Sequence, residues 1–187
     1  MTKKKTKVFV AMSGGVDSSV AAALLKRGAC PELGRRVDVV GVYMKGWSLT
    51  GCAEEDSADA RRVASQLGIP FYVFDFENEY KKTVVDYMVA EYAAGRTPNP
   101  DVMCNREIKF GLFLKKALAL GADYIATGHY VRLSHNTQHI TRNKKINVSC
   151  CMLRVACDLN KDQSYFLWTL SQDQLKYCIF PIGDYTK

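Results

Sequence analysis

The sequence predicts an α/β fold in which a parallel sheet is covered by helices on both faces. Short apolar stretches rich in β-branched residues alternate with longer helical stretches, which is the pattern of parallel α/β domains. The predicted strands are apolar throughout, so both faces of the sheet should be buried. The chain has 187 residues, enough for one such domain with a hydrophobic core.

The predicted elements follow one another in the order β-α-β-α-β-α-α-β. The predicted strands cover residues 8–11, 37–44, 70–76 and 124–127, and the predicted helices cover residues 18–27, 56–67, 78–94 and 108–120. Glycines follow these helices, as expected where a helix ends in a left-handed conformation. Residues 96–107 are polar and contain two prolines, which predicts a loop. Residues 171–178 (SQDQLKYC) predict one further amphipathic helix.

Two connections look inserted into this pattern. Residues 29–36 (ACPELGRR) lengthen the first helix-to-strand connection. Residues 134–150 are polar and basic, which predicts a hairpin or a mobile loop. We find no internal repeat.

Composition favours a cytoplasmic protein, and its basic charge suits either a polyanionic partner or simply a solvated basic surface. The formal net charge is +7, and no apolar run approaches the ~20 residues of a membrane helix. The basic N-terminus (MTKKKTK) lacks the apolar region of a secretory signal. Seven cysteines form no zinc-type CxxC pair, and His135 and His139 lack metal-ligating neighbours at suitable spacing. Most of these cysteines are expected to be buried apolar residues or unreactive thiols.

The first strand ends in SGGVDSS (residues 13–19), which predicts a phosphate-binding turn. Gly14 and Gly15 let backbone N–H groups approach an anion, and the N-terminus of the following helix favours negative charge. Asp17 either holds a magnesium ion that bridges phosphates or caps the helix. No lysine follows Gly15, unlike the P-loop, whose lysine reaches the β- and γ-phosphates.

Cys104 is the candidate nucleophile. It lies in the stretch predicted as a loop, beside Arg106 and just before the helix predicted from Ile108. A nearby cation and a helix N-terminus both favour the thiolate. Asp101, three residues earlier, is a candidate general acid or base. Considered without its neighbours, Cys104 would be an ordinary loop thiol.

The residues also resemble a known family. SGGVDSS resembles the pyrophosphate-binding loop of the PP-loop ATP pyrophosphatases, which adenylate a substrate oxygen and release pyrophosphate. Four further stretches resemble segments of the tRNA-specific 2-thiouridylases of the MnmA type: VYMKGW (42–47), GRTPNPDVMCNREIKFG (95–111), ATGHYVRL (126–133) and NKDQSYFLWTL (160–170). The resemblance extends from about residue 8 to the end of the chain and leaves both inserted connections unmatched. It implies a Rossmann-like fold of the adenine nucleotide alpha hydrolase type.

The resemblance implies a reaction, its partners and a set of site residues. ATP, with Mg²⁺, would adenylate the 2-carbonyl oxygen of the wobble uridine in tRNA, and sulfur from a cysteine persulfide would replace that oxygen. A persulfide sulfur-donor protein would be a further partner. Cys104 would act as nucleophile and Asp101 would assist catalysis. ATP binding is assigned to Ala11, Met12, Ser13, Gly14, Gly15, Val16, Asp17, Ser18, Met44 and Gly128. Contacts with the target base or tRNA are assigned to Asn99, Pro100, Asp101, Lys161, Asp162 and Gln163.

The resemblance also implies that residues 1–187 are an N-terminal PP-loop domain of a truncated chain. The family's second cysteine carries the persulfide, can form a disulfide with the first, and is expected beyond Lys187, as are a central domain and a C-terminal β-barrel. The cysteines at positions 150, 151, 157 and 178 lie in other contexts and are expected to be structural. Two alternatives remain open: a PP-loop enzyme that acts on a small molecule, and an ATP-binding fragment without catalysis.

Two further features leave a choice of interpretation. His129 follows the fourth predicted strand, where it either contacts phosphate or hydrogen-bonds at the sheet edge. Tyr165, Phe166 and Trp168 either stack on bases or pack inside the domain. The apolar stretch FLWTL favours packing.

Overall fold

The computed structural model describes residues 5–30, 37–48, 52–136, 139–141, 144–146 and 150–187. The strands are β1 (Lys7–Ala11), β2 (Asp38–Lys45), β3 (Phe71–Asp75), β4 (Tyr124–Ala126), β5 (Arg132–Asn136), β6 (His139–Thr141), β7 (Lys144–Ile146), β8 (Cys150–Arg154) and β9 (Cys178–Ile179). Five of them form a sheet in the order β3-β2-β1-β4-β9, and every neighbouring pair in it is parallel. The predicted fold class is confirmed.

The helices occupy the connections between these strands. They are α1 (Val16–Arg27), α2 (Cys52–Leu67), α3 (Glu77–Tyr80), α4 (Asp86–Ala93), α5 (Pro100–Met103), α6 (Leu114–Ala119) and α7 (Gln172–Leu175). A π-helical segment, Lys81–Val85, joins α3 to α4, and a longer one, Cys104–Phe113, joins α5 to α6. None of the described helices is long and apolar enough to span a bilayer.

Alternate residues of β1 divide the core into two halves, since successive side chains of a strand point to opposite faces. Val8 and Val10 pack with side chains of α1 and α2, including Leu25. Phe9 packs on the other face with side chains of the second π-helical segment, including Phe113. Both faces of the sheet are therefore covered, as the apolar strands predict.

The segment predicted as a loop at residues 96–107 is helical in its second half. The side chain of Asn99 accepts a hydrogen bond from the backbone N–H of Val102 (3.1 Å), so Asn99 caps a helix that begins at Pro100. Proline is tolerated at the first position of a helix because its missing N–H would be unpaired there. The helix thus starts eight residues before Ile108, where the sequence predicted it.

The C-terminal part of the chain also differs from the prediction. Cys178 lies in β9, which pairs with β4, and not in an amphipathic helix. The preceding helix α7 is short and begins with a capping box formed by Ser171 and Gln174. Tyr165 and Trp168 do not pack inside the domain, because 61% and 74% of their surfaces are exposed. Leu167 is the fully buried residue of this stretch.

The described residues of the inserted stretch at 134–150 form antiparallel strand pairs, as in a hairpin, which is one of its two predicted forms. β5 and β8 pair in antiparallel orientation, as do β6 and β7. Of the first inserted connection, residues 31–36 lie outside the described residues. Cys30 is buried.

Gly14 should tolerate a side chain much less well than Gly28. Both have positive φ angles, +85° and +71°, so Ala at either position costs about 1–2 kcal/mol of backbone strain. A Cβ on Gly14 would also lie 2.6 Å from the carbonyl oxygen of Asp56, whereas one on Gly28 meets no atom within 4 Å. Gly14→Ala should therefore lower the free energy of unfolding by about 1 kcal/mol or more beyond Gly28→Ala. Urea denaturation of both variants measures this difference, and equal losses would contradict it.

Candidate active site

A cavity of about 320 Å³ opens at the carboxyl end of the sheet. It lies where β1 and β4 meet and their connections diverge, which is the usual ligand position in open parallel sheets. Residues at or after the ends of β1, β2 and β4 contribute to it, together with residues of α1, α2, α3 and the second π-helical segment. The lining residues are Ala11, Met12, Ser13, Asp17, Ser18, Tyr43, Met44, Gly46, Asp56, Tyr80, Cys104, Ile108, Lys109, Thr127, Gly128, His129 and Gln163.

The turn after β1 is held closed by the Ser18 hydroxyl. This oxygen accepts a hydrogen bond from the backbone N–H of Ser13 (3.1 Å) and donates one to the carbonyl of Gly15 (3.0 Å). Gly15 precedes α1 and provides no side-chain cap, so the N–H groups of the first helical turn lack that partner. This arrangement fits an anion at the N-terminus of α1.

The residues assigned to ATP fall into two groups. Seven of them line the cavity: Ala11, Met12, Ser13, Asp17, Ser18, Met44 and Gly128. Gly14, Gly15 and Val16 belong to the same turn but are not among the lining residues, and Val16 is 69% exposed. Gly128 lies so close to α1 that a Cβ there would be 2.7 Å from the backbone nitrogen of Ser18.

The Asp17 carboxylate faces two donors. It accepts a hydrogen bond from the Tyr130 hydroxyl (3.2 Å) and one from the Lys187 ammonium (3.0 Å). It does not cap α1 through a side-chain hydrogen bond. In the part of the chain that the structure describes, no group of three or more His, Cys, Asp or Glu side chains forms a metal site.

Cys104 begins the second π-helical segment and is only partly exposed, which corrects the prediction that it lies in a loop. Burial raises the pKa of its thiol, and the charge of Lys109 and a hydrogen bond from Tyr80 partly oppose that effect. Arg106, the cation proposed from sequence, instead binds Glu107 (2.7 Å). The thiolate is therefore supported by Lys109 and Tyr80, and not by Arg106 and an exposed helix N-terminus.

Tyr80 is the last residue of α3 and interacts with Cys104 in the cavity. Burial, followed by the charge of Cys104, the hydrogen bond to Cys104 and the charge of Asp101, raises the pKa of Tyr80 to about 12. Its hydroxyl is therefore protonated at neutral pH and can donate to the sulfur. Gly46 permits this position, because a Cβ there would lie 3.2 Å from the Tyr80 ring.

Asp101 and its neighbours lie outside the cavity lining. Asp101 is exposed on α5, one helical turn before Cys104, and its charge contributes to raising the pKa of Cys104. Asn99 and Pro100 begin the same helix. These three residues therefore lie on the helix that leads to Cys104.

His129 lines the cavity and also hydrogen-bonds within the fold. Its Nδ1 lies 2.8 Å from the Thr127 hydroxyl, and its ring contacts Phe110 and Phe180. Burial and, to a lesser extent, the charge of Lys109 together lower the pKa of His129 to about 3. His129 is therefore neutral at physiological pH.

The three residues of the predicted tRNA segment point to different environments. Gln163 lines the cavity. Its side-chain oxygen accepts a hydrogen bond from the Tyr130 N–H (3.0 Å), and its own backbone N–H donates one to the Tyr130 carbonyl (2.9 Å). Asp162 accepts from the Ala156 N–H (2.9 Å) and stabilises the loop. Lys161 is exposed.

Several cavity residues were not predicted as site residues from the sequence: Tyr43, Gly46, Asp56, Tyr80, Ile108, Lys109 and Thr127. Tyr80, Ile108 and Lys109 belong to helical runs that contain π-helical turns, so an α-helical pattern does not place them. The disulfide that the resemblance implied is not formed between any two of the described cysteines at positions 30, 104, 150, 151, 157 and 178.

Residues 6–187 match the family model described as the tRNA methyl transferase HUP domain. The chain belongs to this family. It is 50% identical over 194 residues to the tRNA-specific 2-thiouridylase MnmA of Bacillus pumilus and 51% identical over 188 residues to that of Streptococcus mutans. The alignments cover 100% and 98% of this chain but 47% and 46% of those proteins. The chain thus spans about half the length of the curated relatives it matches.

Solved structures support the fold. The U34-tRNA thiolase NcsA of Methanococcus maripaludis aligns with a TM-score of 0.51 and 24% identity, over 68% of this chain and 39% of that one. A Methanocaldococcus jannaschii protein described as a predicted subunit of tRNA methyltransferase aligns with a TM-score of 0.50 and 14% identity, over 97% and 70%. At these identities the likeness concerns the fold alone.

The Tyr80 hydroxyl should lower the pKa of Cys104. Tyr80→Phe removes the hydrogen bond to the sulfur and should raise that pKa, so alkylation of Cys104 by iodoacetamide at pH 8 should slow. Tyr92→Phe is the matched control, since Tyr92 is an exposed residue of α4. Mass spectrometry of the Cys104 peptide gives the rate at each pH. An unchanged pH profile in Tyr80→Phe would refute this role.

Burial of neutral His129 should make the fold less stable in acid. The unfolded chain protonates this histidine near pH 6.5 and the folded chain only near pH 3. The unfolded state therefore binds more protons between these values, and stability falls by about 1.4 kcal/mol per pH unit as the pH drops through this window. His129→Gln should remove that dependence. Urea unfolding from pH 4 to 7 gives the free energy of unfolding of the unmodified protein and of His129→Gln at each pH. If the two free energies change with pH in parallel, the assignment is overturned.

Proposed function

We propose that this chain provides the nucleotide and sulfur-transfer site of a tRNA 2-thiouridylase. One observation carries the proposal: the turn after β1, which fits a phosphate, and the Cys104 thiol line the same cavity. A phosphate-binding turn without a cysteine would suit many nucleotide enzymes. A sulfur nucleophile beside it suits replacement of an activated oxygen by sulfur.

The first step is activation of the 2-carbonyl oxygen of the wobble uridine. That oxygen attacks the α-phosphorus of ATP, the bond from the α-phosphorus to the leaving oxygen breaks, and pyrophosphate departs with the electron pair. The N-terminus of α1 and the turn that Ser18 closes hold the pyrophosphate portion. Met44 and Gly128 lie on the nucleoside side. Asp17, together with the phosphates, would hold Mg²⁺, which would supply positive charge to the leaving group.

The second step is the transfer of sulfur. The Cys104 thiolate attacks the inner sulfur of a persulfide carried by another cysteine or by a donor protein, so a disulfide forms, the persulfide S–S bond breaks and hydrosulfide is released. The hydrosulfide adds to the activated carbon, and the bond from that carbon to the adenylated oxygen breaks as AMP leaves with the oxygen. Asp101 acts as acid or base from the rim of the cavity, beside Asn99 and Pro100 at the target base. Lys161, Asp162 and Gln163 contact the tRNA, and the basic net charge of +7 suits that polyanion.

The family description names methyl transfer, whereas the relatives at 50% identity are named for thiolation. Cys104 in the cavity favours thiolation. Methyl transfer gives no reason for a turn that fits a phosphate and a cysteine thiol to line the same cavity. We further propose that the reaction takes place in the cytoplasm, where tRNA is available.

The test measures two products with one variant. The complete product of the reading frame that contains this chain is incubated with ATP, a persulfide donor and tRNA, with the Bacillus pumilus relative as reference. We expect pyrophosphate release that depends on tRNA and the formation of 2-thiouridine. Cys104→Ser should keep the tRNA-dependent release of pyrophosphate. It should reduce the formation of 2-thiouridine by at least about a thousandfold, because the serine hydroxyl is a much poorer nucleophile than a cysteine thiolate.

Cys157→Ser is the matched control, since Cys157 is exposed and outside the cavity. It should retain both activities. Pyrophosphate release that tRNA does not stimulate would favour an enzyme for a small molecule, and ATP binding without any turnover would favour a binding fragment. Either result, or 2-thiouridine formed by Cys104→Ser, would contradict the proposal.

A further inference from the structure

The cavity contains a cation for which no described carboxylate is a partner. Lys109 is the one lysine or arginine among its lining residues. Within the described ranges, none of the ion pairs includes its ammonium group. Lys109 is half-buried, so its charge is less screened than that of a surface lysine. A ligand that brings negative charge into the cavity would therefore find this ammonium available.

The π-helical register explains how Lys109 reaches the cavity. It lies five residues after Cys104, in a segment that is π-helical from Cys104 to Phe113. An α-helix turns about 100° per residue, so residues i and i+5 would point about 140° apart. In a π-helix the hydrogen bond joins residues i and i+5, which brings them to the same side. Cys104, Ile108 and Lys109 accordingly line one cavity.

The charge of Lys109 acts on both neighbours in the cavity. It favours the thiolate of Cys104, whose pKa burial raises, and it disfavours protonation of His129. The ammonium therefore lies near the sulfur and near the loop after β4. The turn of Ser13 and Ser18 lines the same cavity.

The chemistry of oxygen replacement fixes what must lie beside the sulfur. In an adenylated carbonyl, one oxygen atom separates the carbon that sulfur attacks from the phosphorus. A group that neighbours Cys104 in the cavity thus also neighbours the α-phosphate. The leaving pyrophosphate lies farther along, at the turn after β1. A cation beside Cys104 is placed for the α-phosphate and not for the β- and γ-phosphates.

We propose that Lys109 binds the α-phosphate of the nucleotide while the adenylyl group is transferred to the target oxygen. The inference rests on the proposed function and adds a residue to that site. The ammonium neutralises charge on the non-bridging oxygens as the bond from phosphorus to the target oxygen forms and the bond to pyrophosphate breaks. No proton passes through Lys109. A phosphate cradle without the usual P-loop lysine thus receives its cation from the helix that carries Cys104.

Binding of AMP, adenosine and pyrophosphate separates this role from a structural one. In the complete gene product, Lys109→Met should weaken AMP binding about tenfold or more, since it removes a charged hydrogen bond. Adenosine, which lacks the phosphate, and inorganic pyrophosphate should bind as before. Lys109→Arg should recover part of the AMP affinity. Lys115→Met is the matched control, because Lys115 is exposed on α6 and does not line the cavity. Isothermal titration calorimetry measures all three ligands.

If Lys109→Met loses affinity for AMP and adenosine equally, Lys109 only maintains the fold and the proposal is overturned. Unchanged affinity for AMP would also overturn it. A loss of pyrophosphate binding alone would assign Lys109 to the leaving group and would also overturn it. The AMP-binding test of Lys109 and the thiolation test of the proposed function can fail independently of each other. A protein that forms no 2-thiouridine but binds AMP through Lys109 would refute the thiolation and retain the α-phosphate site.

Discussion

The site depends on the close approach of three backbone segments around the N-terminus of α1. Gly14 lies against the backbone of Asp56 in α2, and Gly128 lies against the backbone of Ser18. A Cβ at either glycine would come within 2.7 Å of a backbone atom, which real structures do not tolerate. The two glycines therefore let loops from separate βα units enclose the first turn of α1. Because Gly15 gives that turn no side-chain cap, its N–H groups are left for a ligand.

Burial of Cys104 sets a second constraint, which acts against its own reactivity. A buried thiol resists ionisation, and here burial is the largest influence on its pKa. In the proposed reaction a partly buried sulfur would nevertheless be useful, since water beside it would compete with sulfur for an adenylated carbonyl. Tyr80 and Lys109 reconcile these demands, because each stabilises the thiolate without exposing the sulfur. An exposed thiol beside a surface arginine would ionise more readily but, in the proposed reaction, would leave the activated carbon open to solvent.

The sequence predicted the features that depend on local pattern and missed those that depend on helical register or on distant pairing. Strands such as β1 and the turn of Gly14 are contiguous, so apolar runs and glycines reveal them. The start of α5 was missed because Pro100 was taken to interrupt a helix, whereas with Asn99 as cap it begins one. Cys178 lies in a strand of two residues that only its pairing with β4 defines. Tyr80 and Lys109 could not be assigned, since an α-helical pattern directs Lys109 away from Cys104.

One residue connects the turn proposed for ATP to the segment proposed for tRNA. The Tyr130 hydroxyl donates to Asp17, which follows the glycine turn, while its backbone N–H and carbonyl both pair with Gln163. Tyr130 is buried, so its ring and its backbone cannot move independently. A shift of Gln163 on contact with RNA must therefore change either the pairing with Tyr130 or the position of its hydroxyl at Asp17. This contact gives a physical route by which RNA bound near Lys161 would affect the phosphate site, and it requires no change in the sheet itself.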